Sequence, residues 1–335
     1  MDYQRLGDSG IEVSPLCLGT MNFGDRTDAT TARAIVAAAR DAGVNFIDTA
    51  DVYVKGESER ITGAAIAADR DRWVLATKAG NAMQPDVKNN GGLSRRWLVK
   101  ACDDSLTRLK TDWIDIYYLT YDDVVTPVDE FVGAVGDLIR AGKIRYFGVS
   151  NFRGWRIGEV VGACDGLGVP RPVVCQPYYN LLNRMPEVEI LPACDYHGIG
   201  VATYSPIARG VLTGKYAGGH VPADSRAAIK DRRMMETEFR EASFAIAERL
   251  NAHAAKTGRT PTAFALAWLW ANPIVSSVIA GPRTLAQWQD YADALGCAWS
   301  DEDEALVDSL VPPGHASTPG YNDPKYPFYG RVRRA

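Results

Sequence analysis

Short apolar runs recur along the chain. Between them lie longer stretches in which apolar residues return every third or fourth position on a polar background. The first pattern suits strands buried on both faces, and the second suits helices buried on one. On this reading strands are predicted at 16–18, 44–48, 73–78, 113–119, 144–149, 173–175, 200–204 and 275–280. Each is followed by at least one helix. The first helix is capped by Thr27 or Asp28 and stops at Gly43, and others are predicted at 57–68, 94–109, 128–141, 155–167, 187–197 and 284–295. Two further helical stretches fall at 239–256 and from Thr260-Pro261, where a capping hydroxyl precedes a proline. Residues 3–13 read as a hairpin turning at Asp8-Ser9-Gly10, a plug or cap outside the main sheet.

Eight strand-helix units predict an α/β fold, a (β/α)8 TIM barrel, with an N-terminal β-hairpin and an extended C-terminal tail at 311–335. The whole of 1–335 is expected to form one domain. An open doubly wound sheet would carry a G-x-G-x-x-G turn after one strand to receive a dinucleotide, and the sequence has none.

In a barrel the reacting groups collect at the C-terminal ends of the strands, which is where Asp48, Lys78, Asn151, Gln176 and Tyr204 fall. The stretch VNFIDTADVY places Val44, Phe46 and Asp48 on one face of a strand, with Tyr53 just beyond it. A carboxylate closing an apolar row needs a cation, and Lys78 at the end of the next strand can supply it. The field of Lys78 is then expected to lower the pKa of the Tyr53 phenol and make it a usable proton donor or acceptor. A structural salt bridge beside a loop tyrosine is the simpler reading. The gathering of polar residues at one mouth favours the functional one.

Composition narrows the partners. The net charge is −4, with 46% hydrophobic and 23% charged residues, so nothing suggests a nucleic-acid or polybasic membrane partner. No apolar run is long enough to span a bilayer, and Met1 is followed at once by Asp2 and a polar strand, so a cytoplasmic location is expected. The six cysteines show no C-x-x-C spacing and read as reduced core residues, with no metal site expected. Oligomeric state is left open.

DTADVY with ESE after it, ATKAG, GLSR, GVSNF, QPYYN, YSPIARGVLTGKY and AGPRT stand in one order at the strand ends. Through them the chain resembles the aldo-keto reductase family along essentially its whole length. The resemblance implies a barrel that binds an extended nicotinamide dinucleotide and passes a hydride between it and a carbonyl or secondary alcohol substrate, whether ketone, aldehyde or sugar-like. It implies Tyr53 as general acid or base, Lys78 tuning it and Asp48 holding Lys78. Ser150, Asn151 and Gln176 would hold the nicotinamide carboxamide, and Tyr204 would stack on its ring. Ser205, Pro206, Ile207, Arg209, Gly210 and Lys215 match the stretch that wraps the pyrophosphate. Arg283, Thr284, Gln287 and Asp290 match the adenosine end, and Gly19, Thr20, Met21 and Gly281 complete the cofactor set. The resemblance extends to potassium-channel β-subunits, which makes a cofactor-binding regulatory module with negligible turnover the alternative.

Two positions depart from the family pattern. Thr120 stands where the fourth strand usually carries a histidine in a D-x-Y-x-x-H-x-x-D pattern, here running from Asp115 to Asp123. Its hydroxyl donates a hydrogen bond but is shorter than imidazole and carries no charge, which leaves room for a bulkier ketone or a sugar-like alcohol. Tyr291 replaces the asparagine usual after the acidic residue at the adenine end. Among the histidines, His197 and His253 are expected at the surface or rim, while His220 and His315 lie in segments that can reach the pocket. NADP(H) is favoured over NAD(H), because Arg283 and Thr284 stand where a 2′-phosphate would need a cation and a hydroxyl.

Overall fold

The computed structural model describes residues 1–223 and 225–327. The part of the expected tail at 328–335 lies outside the described residues. A two-stranded antiparallel hairpin, β1 (Gln4–Arg5) and β2 (Glu12–Val13), precedes a closed barrel of eight parallel strands. These are β3 (Leu16–Gly19), β4 (Phe46–Asp48), β5 (Val74–Ala79), β6 (Ile114–Leu119), β7 (Ile144–Ser150), β8 (Val174–Gln176), β9 (Gly200–Thr203) and β10 (Val275–Ala280), paired in chain order with β10 closing on β3.

The strands are apolar on both faces because each face meets a different layer. Cys17, Phe46, Ala76, Ile116, Tyr118, Val174, Ala202 and Ile279 fill the barrel together with Leu6 and Val13 of the hairpin. Leu16, Leu18, Ile47, Leu75, Tyr117 and Phe147 face the helices. Val44 belongs to that outer layer and precedes the strand, so the inward row on β4 is Phe46 and Asp48 alone, without the expected Val44. The hairpin plugs the end from which β9 starts: the Asp8 amide donates to Gly198 O at 2.8 Å. Gly7 there has φ +56, and a Cβ on it would sit 2.1 Å from the Gly198 oxygen.

The helices are α1 (Ala29–Asp41), α2 (Glu57–Ile66), α3 (Arg95–Leu109), α4 (Val128–Arg140), α5 (Gly154–Leu167), α6 (Pro186–Tyr196), α7 (Arg232–Thr237), α8 (Glu241–Lys256), α9 (Pro261–Ala271), α10 (Leu285–Ala292) and α11 (Asp301–Leu310). Asp28, rather than Thr27, caps α1, accepting from the Thr30 and Thr31 amides. Thr260 caps α9 with Pro261 in its first turn. The short α7 and the last helix, α11, stand where the apolar spacing indicated no helix. Among the described residues no helix is long and apolar enough to cross a membrane.

Register fixes what meets at the mouth. Asp48 pairs with Gly19 on one side and Ala76 on the other, which sets Lys78 one inward step further along β5. Lys78 lies beside Tyr118, and Ser150 beside Gln176.

Candidate active site

Asp48 and Lys78 are 2% and 3% exposed, too buried for either charge to stand alone. Lys78 Nζ donates to Asp48 Oδ2 at 2.5 Å and to Thr49 O at 2.7 Å. Gln176 Nε2 donates to the other carboxylate oxygen, Oδ1, at 3.0 Å. The Lys78 ammonium lies 5.0 Å from the centre of the Tyr53 ring. The backbone then turns sharply: Val54, Lys55 and Gly56 all have positive φ, at 49, 54 and 87, before α2 begins. A β-branched residue rarely adopts that conformation, so the turn that aims Tyr53 is strained.

Burial raises the Tyr53 phenol above its ordinary value, outweighing the lowering by Lys78, while Asp48 adds to the rise. The expected net lowering is therefore corrected: without ligand the hydroxyl is a firmly protonated donor. Burial lowers Lys78, but the Asp48 carboxylate and Tyr53 more than offset it, and it stays an ammonium. Asp51, a group the sequence reading passed over, is pushed up to about 8 by burial and the Glu59 charge. Neither of its carboxyl oxygens has a hydrogen-bond partner among the described residues.

These groups form the floor of a cavity of ≈ 510 Å³. Thr120 lines it at 9% exposure, its backbone oxygen bonded by Asn151 Nδ2 at 2.9 Å and its hydroxyl without a partner among the described residues. Asn151 also accepts from the Tyr204 hydroxyl at 2.9 Å, and Ser150 Oγ donates to Gln176 O at 2.8 Å. One face of the Tyr204 ring stacks on Tyr178, with centroids 5.5 Å apart. Gly19, Thr20, Met21, Ser205, Pro206, Ile207, Gly210 and Gly281 line the same cavity, as do Arg209, Lys215, Arg283, Gln287 and Asp290.

The structure qualifies several of these. Arg209 is spent on buried Glu238, with Nη1 2.5 Å from both carboxylate oxygens. Asp290 accepts from the Thr262 hydroxyl at 2.5 Å, and Gln287 Oε1 accepts from the Arg283 amide at 2.8 Å. Thr284 is not part of the lining; its hydroxyl caps α10, accepting from the Gln287 amide. Tyr291 does line the cavity. His220 and His315 do not, and His253 is more than a rim residue, since its Nε2 lies 2.7 Å from buried Asp303.

Asn22, Asn81, Arg226, Arg233, Thr262, Lys325 and Tyr326 also line the cavity and were not anticipated. Arg226 and Arg233 follow the segment 205–215 after β9, a position that hinted at them. Lys325 and Tyr326 arrive through the tail, for which local sequence gives no signal. Seven cationic side chains, Lys78, Arg209, Lys215, Arg226, Arg233, Arg283 and Lys325, face two carboxylates, Asp48 and Asp290. In a protein of net charge −4 that imbalance marks a site for an anion, although Arg209, Arg226 and Arg233 also meet carboxylates outside the lining. Among the described residues no cluster of three or more His, Cys, Asp or Glu is arranged to hold a metal.

Residues 15–312 match the Aldo/keto reductase family. A probable voltage-gated potassium channel subunit beta of Arabidopsis thaliana is 39% identical, over 88% of this chain and 91% of that protein. The uncharacterized oxidoreductase YrpG of Bacillus subtilis (strain 168) is 34% identical over 95% and 98% of the two chains. The L-glyceraldehyde 3-phosphate reductase of Escherichia coli (strain K12) is 32% identical over 94% and 93%. With the closed barrel and the strand-end cluster of Asp48, Lys78 and Tyr53, this match over most of the chain shows that the protein belongs to the aldo/keto reductase family.

Proposed function

We propose that the protein transfers a hydride between a nicotinamide dinucleotide and a carbonyl group or its secondary alcohol, with Tyr53 as the general acid or base. The observation that carries this is the Lys78 ammonium, 2.5 Å from Asp48 and 5.0 Å from the Tyr53 ring, on the floor of an electropositive cavity. When bound, the nicotinamide supplies or takes up the hydride. In the reducing direction the Tyr53 hydroxyl gives its proton to the carbonyl oxygen as negative charge develops there. Lys78 stabilises the phenolate left behind, and Asp48, satisfied by Gln176, keeps Lys78 in place. The Thr120 hydroxyl, which lines the same cavity, offers a second donor to the same oxygen.

The residues fit an extended dinucleotide. All line one cavity; Ser150, Asn151, Gln176 and Tyr204 would hold the reacting end, the segment 205–210 with Lys215 would hold the phosphates, and Arg283, Gln287 and Asp290 would hold the adenosine end. NADP(H) is favoured over NAD(H), because Arg226 joins Arg283 in the cavity and a 2′-phosphate adds roughly two negative charges. The substrate is a ketone, aldehyde or sugar-like compound, a class to which the L-glyceraldehyde 3-phosphate of the E. coli relative's name belongs.

Similarity to the channel subunit favours a second reading, a binding module with negligible turnover. A screen of ketones, aldehydes and sugars with both cofactors, followed at the absorbance band of the reduced nicotinamide, separates the two. Turnover supports the reductase; tight cofactor binding with none across the screen overturns it.

A further inference from the structure

A second cavity, of ≈ 270 Å³, lies against the first. Phe152, Tyr178, Met185 and Tyr321 are among its walls, and Asn151 and Tyr326 line both cavities. Of its three charged wall residues, Asp323 is held by both terminal nitrogens of Arg233 at 2.9 and 2.7 Å. Arg153 donates to Tyr326 O at 2.6 Å. Both are thus occupied in fastening the tail; Glu189 is the third charged wall residue, and the rest of the lining is largely apolar.

We infer that this chamber is the subsite for an apolar arm, aryl or alkyl, carried by the carbonyl substrate, and that Tyr326 is the specificity-determining residue between that arm and the reacting carbonyl. The inference rests on the reductase reading above and names its substrate class. Continuity argues for the substrate rather than an unrelated ligand: Asn151, which bonds Thr120 and Tyr204 on the reaction floor, is also a wall of the chamber. Size sets the arm. An apolar cavity of about 150 Å³ takes benzene, so this one has room for a ring and several further carbons. Thr120, which lines the larger cavity, is shorter than the imidazole the family resemblance leads one to expect there.

The test is a series of methyl ketones of increasing chain length with the intact protein and saturating cofactor. Burial of each methylene should raise kcat/KM roughly fourfold until the chamber is full, chiefly through KM. Met185→Trp, which fills the chamber, should flatten the series. Tyr326→Ala, which removes the partition, should raise kcat/KM for α-branched ketones at least tenfold relative to linear ones. Propylbenzene, an unreactive arm, should bind the wild type but not Met185→Trp, as seen by ligand-observed NMR.

A flat series, a preference for sugars over alkyl ketones, or a rise that survives Met185→Trp would overturn the inference while leaving the reductase reading standing. If no carbonyl is turned over, the reductase reading fails instead. Propylbenzene then decides the chamber alone, and absence of binding refutes it.

Discussion

Gln176 donates its Nε2 to Asp48 Oδ1 at 3.0 Å across 128 positions of sequence, taking the carboxylate oxygen that Lys78 leaves free. A residue the sequence assigns only to the nicotinamide carboxamide thus also holds the buried ion pair of Asp48 and Lys78. Gln176→Leu should leave that buried oxygen without a donor and destabilise the fold by about 1–3 kcal/mol, read as a lower urea midpoint. Unchanged stability would remove Gln176 from the support of Asp48.

Tyr53→Phe should lower the rate of hydride transfer by about 10²–10⁴ with cofactor affinity nearly intact, since only the proton donor is lost. Because burial raises the phenol above its ordinary value, wild-type reduction should stay flat from neutral pH through the ordinary phenol range and fall only above it, while alcohol oxidation rises with pH. Lys78→Met removes a lowering influence, so its oxidation limb should move to still higher pH and recover only partly there. Full activity of Tyr53→Phe would sink the mechanism.

Folding holds the Asp51 carboxyl protonated up to about pH 8, against about 3.9 in an unfolded chain. The folded state binds more protons than the unfolded one across that window, so this group's contribution falls as pH rises through it. Asp51→Asn, which cannot ionise, should match the wild type below pH 4 and exceed it at pH 9 by on the order of 5 kcal/mol. Equal urea midpoints at pH 9 would show that the carboxyl is not confined as described.

Thr120→His should cut kcat/KM at least tenfold for bulky ketones while sparing small aldehydes, because the imidazole takes up the space beside the carbonyl. A substrate screen with an unchanged order of preference would show that this position plays no part in selection.

Arg283→Ala and Arg226→Ala should each weaken NADPH binding more than NADH binding, and the difference should shrink at high salt. Dissociation constants measured by protein fluorescence decide it. Equal or tighter binding of NADH by the wild type would reverse the proposed preference.

The barrel was legible because each strand is short and apolar and is followed by at least one helix, a grammar repeated eight times. What the sequence hid was contact across distance. Val44 looks like part of the inward row by alternation, yet the chain enters β4 only at Phe46. The helix α11 escaped notice because Asp301, Glu302, Asp303 and Glu304 crowd its first turn, although Ser300 and Asp303 form a capping box. The ion pair of Asp48 and Lys78 was readable from two charges at neighbouring strand ends. The net direction of the Tyr53 shift was not, since it depends on how much protein surrounds the ring.

Tyr326 lies well downstream of β10 in the chain, yet it walls both cavities. During synthesis a nascent chain can therefore close its barrel and assemble Asp48, Lys78 and Tyr53 before the residue that walls both cavities has been made. On the proposed role of Tyr326, acquisition of the fold and acquisition of selectivity are separate events in time. A protease that nicks the segment between α11 and Tyr326 would separate them again, leaving a folded protein with a less discriminating mouth.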